Sequence, residues 1–193
     1  MSLFSLSLLG RSAGFLVMIL LAACASPNAK VYMLAVQKGQ HAQGRPISLS
    51  IETVDIAKYL DRPQLVRRSD DVQLGVSELE RWGEPLSSMV QRVLAENLRQ
   101  RLPEGSLVTT SQNVTGKEAG TLELSVTRFD ADATGAVVLI AQWQVHYRRK
   151  GASGAMHANI TVWPLDGSTR AQVKAMSDAL DQLSVRVVAG LRG

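Results

Sequence analysis

The sequence predicts an α+β domain: an antiparallel β-sheet that includes a three-stranded meander over about 121–163, with two main amphipathic helices, about 85–102 and 168–191, packed on one face. Three observations carry this. Leu86, Met89, Val90, Val93, Leu94, Leu98 and Leu102 recur at the spacing of one helical stripe. Val173, Met176, Leu180, Leu183, Val187 and Leu191 do the same near the C-terminus. Between them, Val137, Leu139, Ala141, Trp143, Val145 and Tyr147 occupy every second position, the period of a strand with one buried face.

In chain order, Arg11 is followed by an apolar run from Ala13 to Ala23 and then by Cys24, the chain's single cysteine. The run is about 11 residues long, whereas a spanning helix needs about 20, so it does not read as a permanent anchor. Leu21-Ala22-Ala23-Cys24 resembles the lipobox of bacterial lipoproteins, in which the leader is cut before the cysteine and the sulfur carries a diacylglycerol. An ordinary secretory signal cut at small residues is the competing reading. The expected organisation is a signal peptide over 1–23, a lipidated tether over 24–30 and a single periplasmic domain over 31–193. Several acyl chains hold a protein to a bilayer stably where one does not. Ala25 stands where an aspartate usually retains such lipoproteins at the inner membrane, so the resemblance implies the periplasmic face of the outer membrane in a Gram-negative cell.

The mature part is about 170 residues, enough for one domain with its own core. The net charge of +4 loses only Arg11 with the leader. That is mildly basic and lacks the concentrated stripe of a nucleic-acid binder. With one cysteine, no disulfide forms within the chain, and the core alone must hold the fold.

Val31 to Val36 is predicted as a first strand. Ile47 to Ile56 alternates, with Ile47, Leu49 and Ile51 on one face and Ser48, Ser50 and Glu52 on the other. Strands are expected at Gln64–Arg68 and Val72–Val76 around a Ser69-Asp70-Asp71 turn. Pro85 opens the first helix, where its missing N–H costs nothing, and Pro103-Glu104-Gly105 closes it. Ser106–Thr109 reads as a strand and Gln112–Gly120 as a loop. Leu122, Leu124 and Val126 begin the meander. If its last turn centres between Gly151 and Ala152, Tyr147 faces Met156, Val145 faces Ala158, Trp143 faces Ile160 and Ala141 faces Val162. Asp166-Gly167-Ser168 leads into the final helix.

Chemistry is sparse. The expected register makes His146 and His157 a directly opposed pair on the polar face. Two histidines are too few for a structural zinc site, and His41 lies in a Gly/Gln-rich loop unrelated to them. No Gly-x-Ser-x-Gly elbow is present, and no Ser/His/Asp or Cys/His grouping has a recognisable motif. Asp70-Asp71 and Asp130-x-Asp132 fall at predicted turns, where aspartate serves the backbone. The Gly-rich stretch 151–154 lacks the lysine of a phosphate loop. Asn113-Val-Thr115 and Asn159-Ile-Thr161 match a glycosylation sequon, which is irrelevant if the lipobox resemblance places the chain in a bacterial envelope. The chain reads as neither an enzyme nor a binder of metal or cofactor. Arg67-Arg68 and Arg148-Arg149-Lys150 are basic clusters, each either a solvated surface or a contact for anionic headgroups or an acidic partner.

Tyr59-Leu60-Asp61-Arg62-Pro63-Gln64-Leu65-Val66, then Glu80-Arg81-Trp82-Gly83-Glu84-Pro85-Leu86, then Val93-Leu94-Ala95-Glu96-Asn97-Leu98 resemble the PqiC-type family of ABC-transport auxiliary lipoproteins associated with MCE proteins. Each motif also has a structural role: Pro63 forces Arg62 into extended geometry, and Trp82 is placed to tie a strand-to-helix corner to the core. Tyr59, Leu60, Asp61, Arg62, Pro63 and Gln64 are the better candidates for partner contact, because polar and aromatic residues there lie between elements. The resemblance implies an accessory component of MCE/ABC-type intermembrane phospholipid transport. Such a component docks a periplasmic MCE-domain protein at the outer membrane, supports membrane integrity, and is consistent with assembly into a collar of copies. The alternative is a structural or regulatory envelope lipoprotein serving another periplasmic complex, such as peptidoglycan-synthesis or secretion machinery.

Overall fold

The computed structural model describes residues 28–52, 54–110, 119–148 and 151–191. The leader, Cys24, most of the tether, Arg149, Lys150, the Asn113 sequon and most of the loop expected at Gln112–Gly120 lie outside the described residues. Gly120 belongs to a strand.

The fold is organised around one long strand. The strands are β1 (Lys30–Tyr32), β2 (Ser48–Ile51), β3 (Asp55–Ile56), β4 (Gln64–Arg68), β5 (Leu74–Trp82), β6 (Leu107–Thr109), β7 (Ala119–Ala131), β8 (Val137–Tyr147), β9 (Gly151–Ala152) and β10 (Met156–Val162). The helices are α1 (Leu86–Arg99) and α2 (Thr169–Gly190), and a 3₁₀ turn spans Lys58–Leu60. One edge of β7 pairs antiparallel with β8, from Gly120↔Tyr147 to Ala131↔Val137, with an irregularity between Val126 and Arg128. Its other edge takes three partners in succession, all parallel: β2 beside Ala119–Leu122, β3 beside Ser125–Val126, and β4 at Ala131. The expected single strand Ile47–Ile56 is therefore two short ones, because the chain follows β7 in steps and breaks between them.

The sheet is mixed, whereas an antiparallel one was expected. β1 lies parallel to β5, and β2 parallel to β6. Alternation reports which face is buried and is silent on strand direction, so the parallel pairs have no signature in the sequence.

β1 ends at Tyr32, short of the expected Val36. Beyond it the backbone donors are claimed by the helices: Ala35 N–H by Ser177 Oγ (3.0 Å), Gln37 N–H by Asn97 Oδ1 (3.0 Å) and Gly39 N–H by Gln100 Oε1 (3.1 Å). A strand needs those donors for its ladder, and a helix surface offering acceptors removes them. Gly39 suits this path, since a Cβ there would collide with the Arg101 guanidinium. β5 is longer than the expected Val72–Val76 and carries Trp82 at its end, where Trp82 N–H donates to Pro63 O (2.7 Å).

The helices form where the stripes predict. Pro85 takes the N-cap position of α1, and Ser168 caps α2 by accepting from Ala171 N–H (3.1 Å). The α1 stripe is buried throughout, and the two helices pack on each other. α2 also covers β8 and β10. One continuous core results, with Phe129, Leu122, Leu139 and Ile160 from the sheet meeting Met89, Leu94, Leu98, Leu180 and Leu183 from the helices.

The last hairpin has the expected faces in a different register. Tyr147 pairs with Gly151 and His146 with Ala152, Gly151 taking a left-handed φ of +78°. Ser153 N–H then donates to Val145 O (2.7 Å), while Val145 N–H donates to Ser153 Oγ (3.0 Å). One extra residue follows before Met156 comes opposite Trp143. Met156 is thus four residues from its expected partner Tyr147. A shift by an even number keeps every side chain on its face, so apolar matching alone does not discriminate between the two registers. His146 and His157 are consequently not opposed: His157 sits beside Gln142, and His146 Nε2 lies 3.2 Å from Glu123.

Candidate functional site

The segment with the family-like motif, Tyr59 to Gln64, splits into anchors and an exposed stretch. Leu60 is buried in the core and Tyr59 is half-buried. Asp61, Arg62 and Pro63 are exposed, and Gln64 begins β4. The turn holding them is tied down by local bonds from Asp61 N–H to Lys58 O (3.2 Å) and from Arg62 N–H to Leu60 O (2.9 Å).

Behind this stretch is a buried carboxylate. Asp130, on β7, is fully buried; it accepts the Tyr59 hydroxyl on Oδ2 (2.5 Å) and Arg128 Nε on Oδ1 (3.1 Å). Arg68 Nε forms an ion pair with the same Oδ1 at 3.4 Å, and its guanidinium lies over the Tyr59 ring, 5.5 Å from the centroid. Burial, then the hydrogen bond to Asp130, pushes the Tyr59 phenol up to about 12. A phenol so placed stays a donor. Such a phenol is not poised as a general acid or base near neutral pH. The arrangement braces the turn against β4 and β7.

Asp130 was expected at a turn, beside Asp132. It lies inside β7, and only Asp132 is at the turn, where it accepts from Thr134 and Ala136 N–H groups. Asp70 also serves a turn, accepting from Val72 N–H (2.8 Å) and Gln73 N–H (2.7 Å).

Arg67 is engaged on the other side of β4. It pairs with Glu80 (3.4 Å), donates to Thr169 Oγ1 (2.5 Å) and reaches Gln172 Oε1. These contacts clamp the β4–β5 hairpin to the first turn of α2. Arg67 and Arg68 thus hold elements together, while Arg148 is exposed and Arg149 and Lys150 lie outside the described residues. A groove of about 640 Å³ lies above Arg67 and Arg68, between the Ser69–Gly75 turn, the Asp132–Gly135 turn and Trp163-Pro164. Thr169 and Gln172 had no signal in the sequence, and Asp130 and Glu80 signalled a turn and a motif rather than ion pairs, because their partners Arg68 and Arg67 come from distant segments. The Arg128-x-Asp130 spacing was the one available clue to a same-strand ion pair.

His41 Nδ1 lies 2.8 Å from Leu102 O and joins no other histidine. Among the described residues no group of three or more His, Cys, Asp or Glu side chains converges on a metal-sized site. No described helix is long and apolar enough to cross a membrane.

Known proteins resemble the chain over most of its length. Its match to the intermembrane transport lipoprotein PqiC of Escherichia coli (strain K12) is 30% identical over 134 residues, covering 66% of this chain and 70% of the relative. The same figures hold for the protein of that name in Shigella flexneri. A crystal structure of an uncharacterized protein superposes with a TM-score of 0.72 at 21% identity, covering 84% of this chain and 98% of that one. Protein XCC0632 from Xanthomonas campestris superposes at 0.68 with 17% identity, covering 82% and 92%. These two likenesses establish the fold. The family model described as the ABC-type transport auxiliary lipoprotein component matches residues 32–188. With the two-helix, curled-sheet fold and the braced Tyr59–Gln64 turn inside that span, the chain belongs to the ABC-type transport auxiliary lipoprotein component family.

Proposed function

We propose that this chain is an accessory outer-membrane lipoprotein of an MCE/ABC-type intermembrane phospholipid transport system, anchored through acylated Cys24 and docking the MCE-domain protein. It contributes binding and position, with no catalysis and no cofactor beyond the acyl groups. The observation that carries this reading is the presentation of Asp61, Arg62 and Pro63, exposed and rigidly backed by the Tyr59–Asp130–Arg68 brace. A pre-ordered turn of polar and charged residues pays little ordering entropy on association, which suits a docking surface. Its position also fits. Pro63 and Trp82 lie at one end of the β4–β5 hairpin. The tether enters β1 from the other direction, because β1 runs parallel to β5 with Lys30 beside Glu80. The docking turn therefore lies at the opposite end of the hairpin from the one at which the chain enters β1. Family membership supports the transport role, and assembly into a collar of copies around the partner belongs to the same proposal.

The test is co-purification from envelope membranes. Tagged wild-type protein should recover an MCE-domain protein, Arg62→Glu should lose it, and Cys24→Ala should leave the membrane and compromise the envelope barrier. Recovery of peptidoglycan-synthesis or secretion components without any MCE-domain protein would overturn the reading in favour of another envelope complex. So would an intact barrier in cells whose protein is soluble and untethered.

A further inference from the structure

The end of the domain nearest the tether carries an apolar surface that the docking role does not use. Trp163 is 67% exposed and Leu165 96% exposed in the connection between β10 and α2, with Pro164 between them. Val72, 93% exposed, tips the β4–β5 turn. Trp163 and Pro164 share the wall of one groove with Ser69, Gly75 and Val76, so the two loops lie side by side. The other two tryptophans, Trp82 and Trp143, are 7% and 5% exposed. A tryptophan left in water near a bare leucine has no role in this core.

Chain direction indicates what covers this surface. β1 runs parallel to β5 with Lys30 beside Glu80, so residues preceding Lys30 approach from the side of Leu74 and the β4–β5 turn. Cys24 to Ala29 spans at most about 20 Å, close to the length of β5 from Leu74 to Glu80. An acylated Cys24 thus keeps the bilayer within reach of the end that bears Val72, Trp163 and Leu165. Tryptophan favours the headgroup level of a bilayer, where its apolar body is buried and its N–H stays hydrated. Charge does not drive the contact: Asp70, Asp71, Asp132 and Asp166 share this end with Arg170 and Lys174, the lysine paired to Asp178 at 3.1 Å.

We propose that Trp163, Pro164 and Leu165, with Val72 on the neighbouring turn, form a foot that seats this end of the domain in the headgroup zone of the phospholipid bilayer holding the Cys24 acyl chains. The foot turns a flexible leash into a fixed orientation, and so aims the Asp61–Pro63 turn away from the membrane. It rests on the acylation of Cys24, and the test separates the two.

Because Trp163 is the one exposed tryptophan of three, the protein carries its own reporter. Full-length protein, processed in a Gram-negative host and purified from membranes, is placed in phosphatidylethanolamine/phosphatidylglycerol vesicles, with and without acyl-brominated phospholipid. Intact mass establishes the acyl chains. The foot predicts that brominated lipid quenches the Trp163 component, that iodide access falls toward that of the two buried tryptophans, and that Trp163→Phe removes both effects. High salt should change neither. Leu165→Glu, at an exposed loop position that leaves folding unaffected, should weaken lipid quenching and restore iodide access. Acylated protein whose Trp163 stays open to iodide and blind to brominated lipid overturns the foot alone. Protein without acyl chains overturns the foot together with the Cys24 reading. Shielding that appears without vesicles and grows with protein concentration also overturns the foot, and assigns the patch to a second copy.

Discussion

Tyr59 donates its hydroxyl to Asp130 over 2.5 Å, joining a short turn to the far half of the longest strand across 71 positions of sequence. That bond and Leu60 beneath it back the exposed Asp61–Pro63 stretch, alongside its local backbone bonds. The consequence is measurable through either partner.

Replacing Asp130 by Asn should cost on the order of 3 kcal/mol, because Arg68 and Arg128 lose the charge they share. The figure sits at the low end for a buried pair, since both guanidiniums keep about a quarter of their surface in water. Urea unfolding of the variant against wild type reads the loss as a lower midpoint at unchanged slope.

Tyr59→Phe keeps the ring under Arg68 and removes only the hydroxyl, so it should cost about 1.5 kcal/mol at neutral pH. The phenol's folded value of about 12 lies above its ordinary value of 10.0, which means that the folded state prefers the neutral form. That contribution is complete below pH 10 and is lost as pH rises from there through about 12. Wild type should therefore lose stability in that window, and Tyr59→Phe should lose less. Absorbance titration should show one phenolate step near 12 that vanishes in the variant.

Arg62→Glu should leave stability within about 0.5 kcal/mol of wild type, since its side chain is exposed. Its effect should appear only in association with the proposed MCE-domain partner. A variant that unfolds instead would show that Arg62 serves the turn.

Asn97 is buried on α1 and supplies the acceptor for Gln37 N–H. Asn97→Ala should cost about 2 kcal/mol by orphaning that donor. Amide exchange at Gln37 should accelerate well beyond exchange in β7.

The hairpin register is testable with paired cysteines in a Cys24→Ala background. Gln142→Cys with His157→Cys places the two thiols on directly opposed residues and should oxidise to a disulfide. His146→Cys with His157→Cys, the pair that apolar matching alone suggested, should remain reduced.

Legibility in the sequence followed the range of the interaction that decided each element. Both helices, β4 and β8 were readable because their stripes and alternation lie within a few turns of chain. The expected β8 boundaries, Val137 and Tyr147, are those observed. β1 was overextended because the acceptors that end it belong to Asn97 and Ser177, far along the chain. Of the candidate contact residues, sequence reasoning located the turn, while only the fold divided Tyr59 and Leu60, which anchor, from Asp61, Arg62 and Pro63, which face solvent.

By itself the sequence determined what local periodicity and short motifs encode: two amphipathic helices, a sheet with a buried face, an α+β class and a family. Tertiary structure alone decided which strands run parallel, how the final hairpin is registered, and that Asp130 is a buried brace. Those outcomes depend on pairings between segments far apart in the chain. An alternation of period two is satisfied equally by either strand direction and by any even shift, so only the packing of the whole domain selects among them.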